Sequence, residues 1–188
     1  PVRGSPPPMN DAPEQRHRLY GRAAGKPLSK RQQGLVDDLL PKIGVPVTGK
    51  GELFPATLFS AATRGVWLEI GFGGGEHLAH QAGVHPEVSF IGAEPFINGV
   101  AKLLALIEEK QLGNIRIHDG DARALLEQLP DACLERIYLL YPDPWPKLRQ
   151  NKRRFVSPAT LAQFHRVLKP GGLFLFASDI EDYVNWTR

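Results

Sequence analysis

The chain has 188 residues, 42% of them hydrophobic, and a formal net charge of +3 at pH 7, enough apolar content for one domain with its own core. One cysteine excludes an internal disulfide framework and suits a reducing compartment. No apolar run approaches the ~18–20 residues of a membrane span and no signal peptide is visible, so the chain reads as cytoplasmic.

Residues 1–27 are rich in Pro, Gly, Arg and Ala without periodicity and are expected to be a disordered or extended tail. The tail is basic: residues 1–33 carry seven Lys/Arg against two acids. The remainder, 28–188, reads as one domain. Ser29 is a candidate N-cap for a helix running to about Leu40 and ended by Pro41 and Gly44. From Gly65 onward strands and helices alternate. Val66–Ile70 is a short apolar strand, and a glycine-rich turn leads into a helix near Glu76–Gln81. Val88–Ala93 is a second strand, followed by a helix over Ile97–Gln111 with apolar residues at three-to-four spacing. A third strand is predicted at Ile115–His118, a helix at Ala122–Gln128, and a fourth strand at Leu134–Tyr141. Ser157-Pro158 caps a helix through Leu168. Lys169-Pro-Gly-Gly172 then reads as a turn into a fifth strand, Leu173–Ala177.

This alternation implies right-handed βαβ units and an α/β fold with a doubly wound, mostly parallel, Rossmann-like sheet. In such sheets the ligand lies beyond the carboxyl ends of the strands, at a switch point. The residues there are Glu69 to Gly75, Glu94, Asp121, Asp143 and Asp179. A carboxylate at or near five consecutive strand ends points to a cationic or hydroxyl-rich ligand.

Leu68-Glu-Ile-Gly-Phe-Gly-Gly-Gly75 resembles the first motif of the class I S-adenosylmethionine-dependent methyltransferases. The rival reading is a dinucleotide-binding Gly-x-Gly-x-x-Gly turn. Gly71 and Gly73 fit it, but the third position falls on Glu76, which would repel a pyrophosphate at the helix N-terminus. Glu94 is placed to accept from both hydroxyls of a ribose, a feature common to nicotinamide and adenosylmethionine folds. Asp121 either accepts from the adenine amine or caps the following helix, and a capping carboxylate has a lone pair to spare.

The fourth strand runs into Tyr141-Pro-Asp-Pro-Trp-Pro-Lys147, after which five cations fall within eight residues: Lys147, Arg149, Lys152, Arg153 and Arg154. One acid on a rigid turn beside a polyanion-binding strip points to chemistry on a nucleic acid. The alternative for Asp143 is a plain Asp-Pro turn. Trp145 either stacks on a base or packs into its own turn. His77 and His80 lie three apart without a third ligand, so no metal site is expected. Nothing near Cys133 would activate its thiol.

Pro142-Asp-Pro-Trp-Pro-Lys147 and Asn151-Lys-Arg-Arg154, at this separation from the glycine-rich turn, resemble the tRNA (guanine-N7)-methyltransferases. The resemblance covers about Leu68 to Asp179. It implies methyl transfer from S-adenosylmethionine to N7 of a guanosine in the variable loop of tRNA. It also implies cofactor contacts from Glu69, Gly71, Gly73, Glu94, Asp121, Ala122 and Asp143, with Asp143 as the catalytic aspartate. Lys147 and Asp179 match substrate-contacting positions, and Arg149, Asn151, Lys152, Arg153 and Arg154 match the RNA-contacting segment. The partner implied is tRNA, without membrane or metal, and the motifs specify no oligomeric state. The class I fold carries two further strands after the fifth, and the family a Thr-x-Phe-Glu loop near its C-terminus. Neither has room here, so the domain is expected to be C-terminally incomplete. Two competing functions are a nicotinamide-dependent oxidoreductase and a non-catalytic RNA-binding subunit. Glu76 and the basic strip weigh against the first, and the set of carboxylates beside an RNA strip against the second.

Overall fold

The computed structural model describes residues 25–60 and 64–188. All but the end of the expected tail over 1–27 lies outside the described residues. Helix α1 (Lys30–Asp38) starts at a capping box. The Ser29 hydroxyl accepts from the Gln32 N–H, and the Gln32 side chain accepts from the Ser29 N–H, so two otherwise orphaned donors are satisfied. Pro41 does not end the helical run as expected. It sits in the first turn of a second short helix, α2 (Leu40–Ile43), where its missing N–H costs nothing.

Five strands form one parallel sheet: β1 (Val66–Ile70), β2 (Ser89–Ala93), β3 (Ile115–His118), β4 (Leu134–Leu140) and β5 (Leu168–Ala177), in the order β3-β2-β1-β4-β5. The helices α3 (Glu76–Val84), α4 (Ile97–Lys110), α5 (Ala122–Gln128), α6 (Pro158–Val167) and α7 (Glu181–Thr187), with 3₁₀ segments at Pro55–Leu58 and Leu148–Arg153, complete the described elements. Residues of β1 alternate between two cores, as the period of two along a strand requires. Leu68 and Ile70 pack with Leu125, Leu126 and Phe164, whereas Trp67 packs with Leu78, Leu103 and Leu104 on the other face. Burial on both faces is why β1 reads as a continuous apolar run. Leu68 is fully buried, and its truncation to Ala would cost about 2–5 kcal/mol.

The chain builds the sheet outward from β1 through β2 to β3 and then returns to place β4 on the other side of β1. The switch point therefore lies between β1 and β4. Register aligns the strand ends there: Ile70 pairs with Ala93 and with Leu139, and Ala93 with His118. The glycine-rich turn, Glu94 and the Tyr141–Lys147 turn thus leave the sheet along one edge.

The fifth strand differs from expectation. Pairing with β4 begins at Leu168, and Lys169-Pro-Gly-Gly172 is a bulge within the strand, with a register shift opposite Leu134/Arg136 and Gly171 at φ 79°. At the end of this five-strand order a proline and the extra residues of the bulge, 169–172 opposite Glu135, are tolerated without breaking the ladder beyond them. Among the described residues no helix is long and apolar enough to cross a membrane.

Candidate active site

A cleft of about 710 Å³ opens at the switch point, bounded by Gly71, Glu94, Asp121, Tyr141, Asp143 and Trp145 among others. It brings together carboxylates from the ends of β2, β3 and β4. Gly71 (φ 68°) and Gly73 (φ 57°) hold the turn after β1 in the left-handed region, where other residues are strained. Apart from the glycine itself and its chain neighbours, no atom of the described residues lies within 4 Å of the place a Cβ would take at either. The turn therefore faces open space that a ligand can approach closely.

Glu94 is the best-buried acid of this cleft. One of its oxygens accepts from the Gly73 N–H and the other from the Phe96 N–H, both at 2.9 Å. The carboxylate thereby ties the glycine turn to the end of β2. Burial pushes its pKa above the ordinary carboxylate range despite these two bonds, and the charge of Asp143 adds to the rise. Two converging acids of this kind favour a cationic ligand, which would relieve their mutual repulsion.

Asp121 takes both roles open to a residue before a helix only in part. It caps α5 by accepting from the Arg123 N–H at 3.0 Å, and it also holds the Arg123 guanidinium, with an ion-pair distance of 2.7 Å. The spare lone pair expected for an adenine amine is engaged by Arg123, so such a contact requires Arg123 to yield. Ala122 is buried beside it and lines the cleft.

Glu69 does not line this cleft. Its buried carboxylate points to α3 and meets His77 Nδ1 at 2.6 Å, while the His77 ring packs edge-on against Tyr138. Burial raises the Glu69 pKa, with His77 opposing the rise. The histidine is thus a partner for Glu69, a role the i, i+8 separation does not announce. Among the described residues no group of three or more His, Cys, Asp or Glu is arranged to hold a metal ion.

The Asp143 side of the cleft is built differently. Asp143 is exposed on a turn in which Tyr141 (φ 51°) and Trp145 (φ 43°) occupy the left-handed region without being glycine. Each such residue costs on the order of 1–3 kcal/mol and persists only where its surroundings enforce it. Tyr141 is 69% exposed, although its N–H still bonds Ala177 O at 2.8 Å. Trp145 is half-buried with the Arg153 guanidinium 5.0 Å above its ring, which favours packing within the turn over an open stacking surface.

The basic segment divides in two. Lys147, Arg149 and Lys152 are exposed, on and around a 3₁₀ segment, Leu148–Arg153. Arg154, expected on the RNA strip, has a fully buried side chain. Its Nε donates to Pro144 O at 2.9 Å, and another nitrogen donates to Asp182. Asn151, also expected to face RNA, faces its own turn: with its amide NH₂ toward the neighbouring carbonyls it donates to Trp145 O and Lys147 O, each at 3.2 Å. The Arg154 guanidinium is thus enclosed by the protein, and the Asn151 amide is turned to its own loop. Asp179 is exposed just beyond β5. Cys133 is partly buried and its thiol is pushed up to about 11 by burial, which keeps it protonated and inert.

A parallel sheet that reverses at β1/β4, with a glycine-rich turn after β1 and acids at the following strand ends, is a Rossmann-like arrangement of the kind found in class I methyltransferases. Comparison with known proteins agrees. Residues 63–188 match the family described as "Putative methyltransferase". The chain is 55% identical over 169 residues to the tRNA (guanine-N(7)-)-methyltransferase of Agrobacterium fabrum, covering 90% of this chain and 73% of that protein. It is 52% identical over 178 residues to the protein of the same name from Caulobacter vibrioides, covering 93% and 77%. Among solved structures, the aminoglycoside resistance methyltransferase NpmB1 superposes with a TM-score of 0.50 at 20% identity, over 67% of this chain and 61% of that one, a likeness of fold alone. The chain belongs to the tRNA (guanine-N7)-methyltransferase family.

Proposed function

We propose that this chain transfers a methyl group from S-adenosylmethionine to N7 of a guanosine in the variable loop of tRNA. The observation that carries the reading is a single cleft with a buried acid, Glu94, on one side and an exposed acid, Asp143, on the other, with the exposed cations of the following segment beyond. Neither a nicotinamide enzyme nor a passive RNA-binding module accounts for that pairing, and the relatives favour neither.

S-adenosylmethionine supplies an electrophilic sulfonium methyl group. The open space over Gly71 and Gly73 admits backbone-close contact with it, and Glu94 is the acceptor for the ribose hydroxyls. Asp121 and Ala122 border the adenine side. Glu69, its carboxylate held by His77, stands outside the cleft.

Asp143 orients the guanine. Its carboxylate accepts from N1–H and the exocyclic N2–H₂, which turns N7 inward, and adenine offers neither donor. N7 carries an in-plane lone pair and no proton, so no base has to remove one. Positive charge developing on the ring during transfer is stabilised by the same carboxylate, so catalysis rests on positioning and electrostatics. Lys147, Arg149 and Lys152 bind phosphates, and Asp179, exposed just beyond β5, contacts the substrate. A base within folded tRNA has to be exposed to reach the cleft.

Incubation with tritium-labelled S-adenosylmethionine and unmodified tRNA, followed by mapping of the product, tests this. Label on a guanosine N7 of the variable loop is expected. Binding of tRNA without transfer, or label at another base, would refute it.

A further inference from the structure

We propose that Arg154 is a positioning residue that holds the Asp143 turn in its strained conformation by fastening it to helix α7. The inference rests on the functional reading above and assigns to Arg154 a role distinct from RNA binding.

The turn needs an external support. Pro142, Pro144 and Pro146 carry no N–H and cannot donate to it. Asp143 lies between two prolines and within two residues of both left-handed residues, Tyr141 and Trp145. The last sheet bond into this stretch is the one from Tyr141 N–H to Ala177 O. Beyond it, the described hydrogen bonds to the turn's carbonyls come from Arg154 to Pro144 and from the Gln150 N–H to Lys147, joined by those from Asn151 to Trp145 and Lys147 when its amide NH₂ faces them.

Arg154 is the one of these that reaches outside the segment. While Nε donates to Pro144 O, the far side of the guanidinium donates to Asp182, and the group lies 4.9 Å from the Tyr183 ring and 5.2 Å from the Trp186 ring. All three partners stand on α7. Trp186 Nε1 in turn donates to Val156 O at 2.8 Å, and the Tyr183 hydroxyl accepts from the Val156 N–H at 3.3 Å. The helix thus clasps the chain on both sides of Phe155. A planar guanidinium suits this place because it donates in two diverging directions while its faces lie against rings; an ammonium has neither the fork nor the flat face. Asp182 itself is largely exposed, so the ion pair is screened by solvent, and the bond to Pro144 is the contact that bears on Asp143.

Arg154→Lys and Arg154→Met keep most of the buried volume, and Lys keeps the charge, so at least one is expected to fold. For either folded variant we expect kcat to fall roughly 10- to 100-fold, the effect of a displacement on the order of 1 Å at the reacting groups. The dissociation constants for tRNA and for S-adenosylmethionine should stay within about twofold, since Arg154 touches neither ligand. Hydrogen–deuterium exchange at the amides of Asp143, Trp145 and Lys147 should quicken while the amides of β1 stay protected. That readout needs no methyl transfer, so it separates failure of this proposal from failure of the functional reading. Unchanged kcat with unchanged exchange would overturn the proposal. So would a loss confined to tRNA affinity, which would return Arg154 to the RNA strip.

Discussion

The two sides of the cleft solve the same problem, holding a carboxylate in place, by opposite means. On the glycine-turn side the acids are buried or partly buried and anchored by local partners, Glu94 by the N–H groups of Gly73 and Phe96 and Asp121 by Arg123, while Glu69, outside the cleft, is held by His77. On the acceptor side Asp143 is exposed, and its position is enforced indirectly through a proline-rich turn and the buried Arg154. A cofactor of constant shape rewards a preformed, partly desolvated pocket. On the proposed function, a base presented by a large RNA rewards an open face whose backbone, not whose side-chain environment, is fixed.

If that contrast holds, loss of Asp143 should act on turnover and loss of Glu94 on binding. Asp143→Asn keeps the turn but presents the wrong donor and acceptor pattern to guanine, so steady-state kinetics should show kcat lowered about 100-fold or more, with tRNA affinity from filter binding nearly unchanged. Glu94→Gln should weaken S-adenosylmethionine binding about 10- to 100-fold by calorimetry, the loss of hydrogen bonds to a charged acceptor. The pH dependence follows from the same burial. Because the folded-state pKa of Glu94 is raised, its ionised form, the one proposed to accept from the ribose, is lost as pH falls through a value above the ordinary carboxylate range. Affinity should therefore decline on acidification earlier than for an exposed acid, and Glu94→Gln should flatten that decline.

The exposed cations supply the next smaller effect. Arg149→Ala with Lys152→Ala should weaken tRNA binding and reduce the slope of log affinity against log salt by about one to two, roughly 0.7–0.9 for each phosphate no longer neutralised, leaving kcat at saturating tRNA intact. The smallest effect on activity is expected from His77→Ala. It strips the buried Glu69 of its partner, so urea denaturation should show stability lowered by about 1–3 kcal/mol, with only a minor change in turnover. A large fall in kcat there would place Glu69 in the reaction itself and blur the contrast.

What can be read from the chain alone divides along the same line. The strands β1 and β3 and helix α5 fall where their apolar periods and caps put them, because those signals are local. Glu94 and Asp143 follow from the rule that ligands gather beyond strand ends, which requires only the strand positions. Sequence places Arg154 and Asn151 on the RNA strip because a basic run looks the same whether its side chains face solvent or protein. The burial of Arg154 depends on Tyr183 and Trp186, some thirty residues further on, and on a short α7 with no periodic signature. The Glu69–His77 pair likewise emerges only when α3 packs on β1. In β5, Pro170 and Gly171 read as a turn because their local preferences carry no trace of the pairing to β4 that resumes on both sides of them.

The most direct test of the claim that Asp143 orients guanine, and does not act as a base, compares guanosine with inosine at the target position of an otherwise unmodified tRNA. Inosine keeps N7 and N1–H but lacks the exocyclic amine. With the wild-type enzyme, kcat/KM should fall about 10- to 100-fold on that change, the value of one hydrogen bond to a carboxylate. With Asp143→Asn the two substrates should become nearly equivalent, because the acceptor for the amine is no longer charged. Equal rates on guanosine and inosine with the wild-type enzyme, or an undiminished preference in Asp143→Asn, would contradict the account.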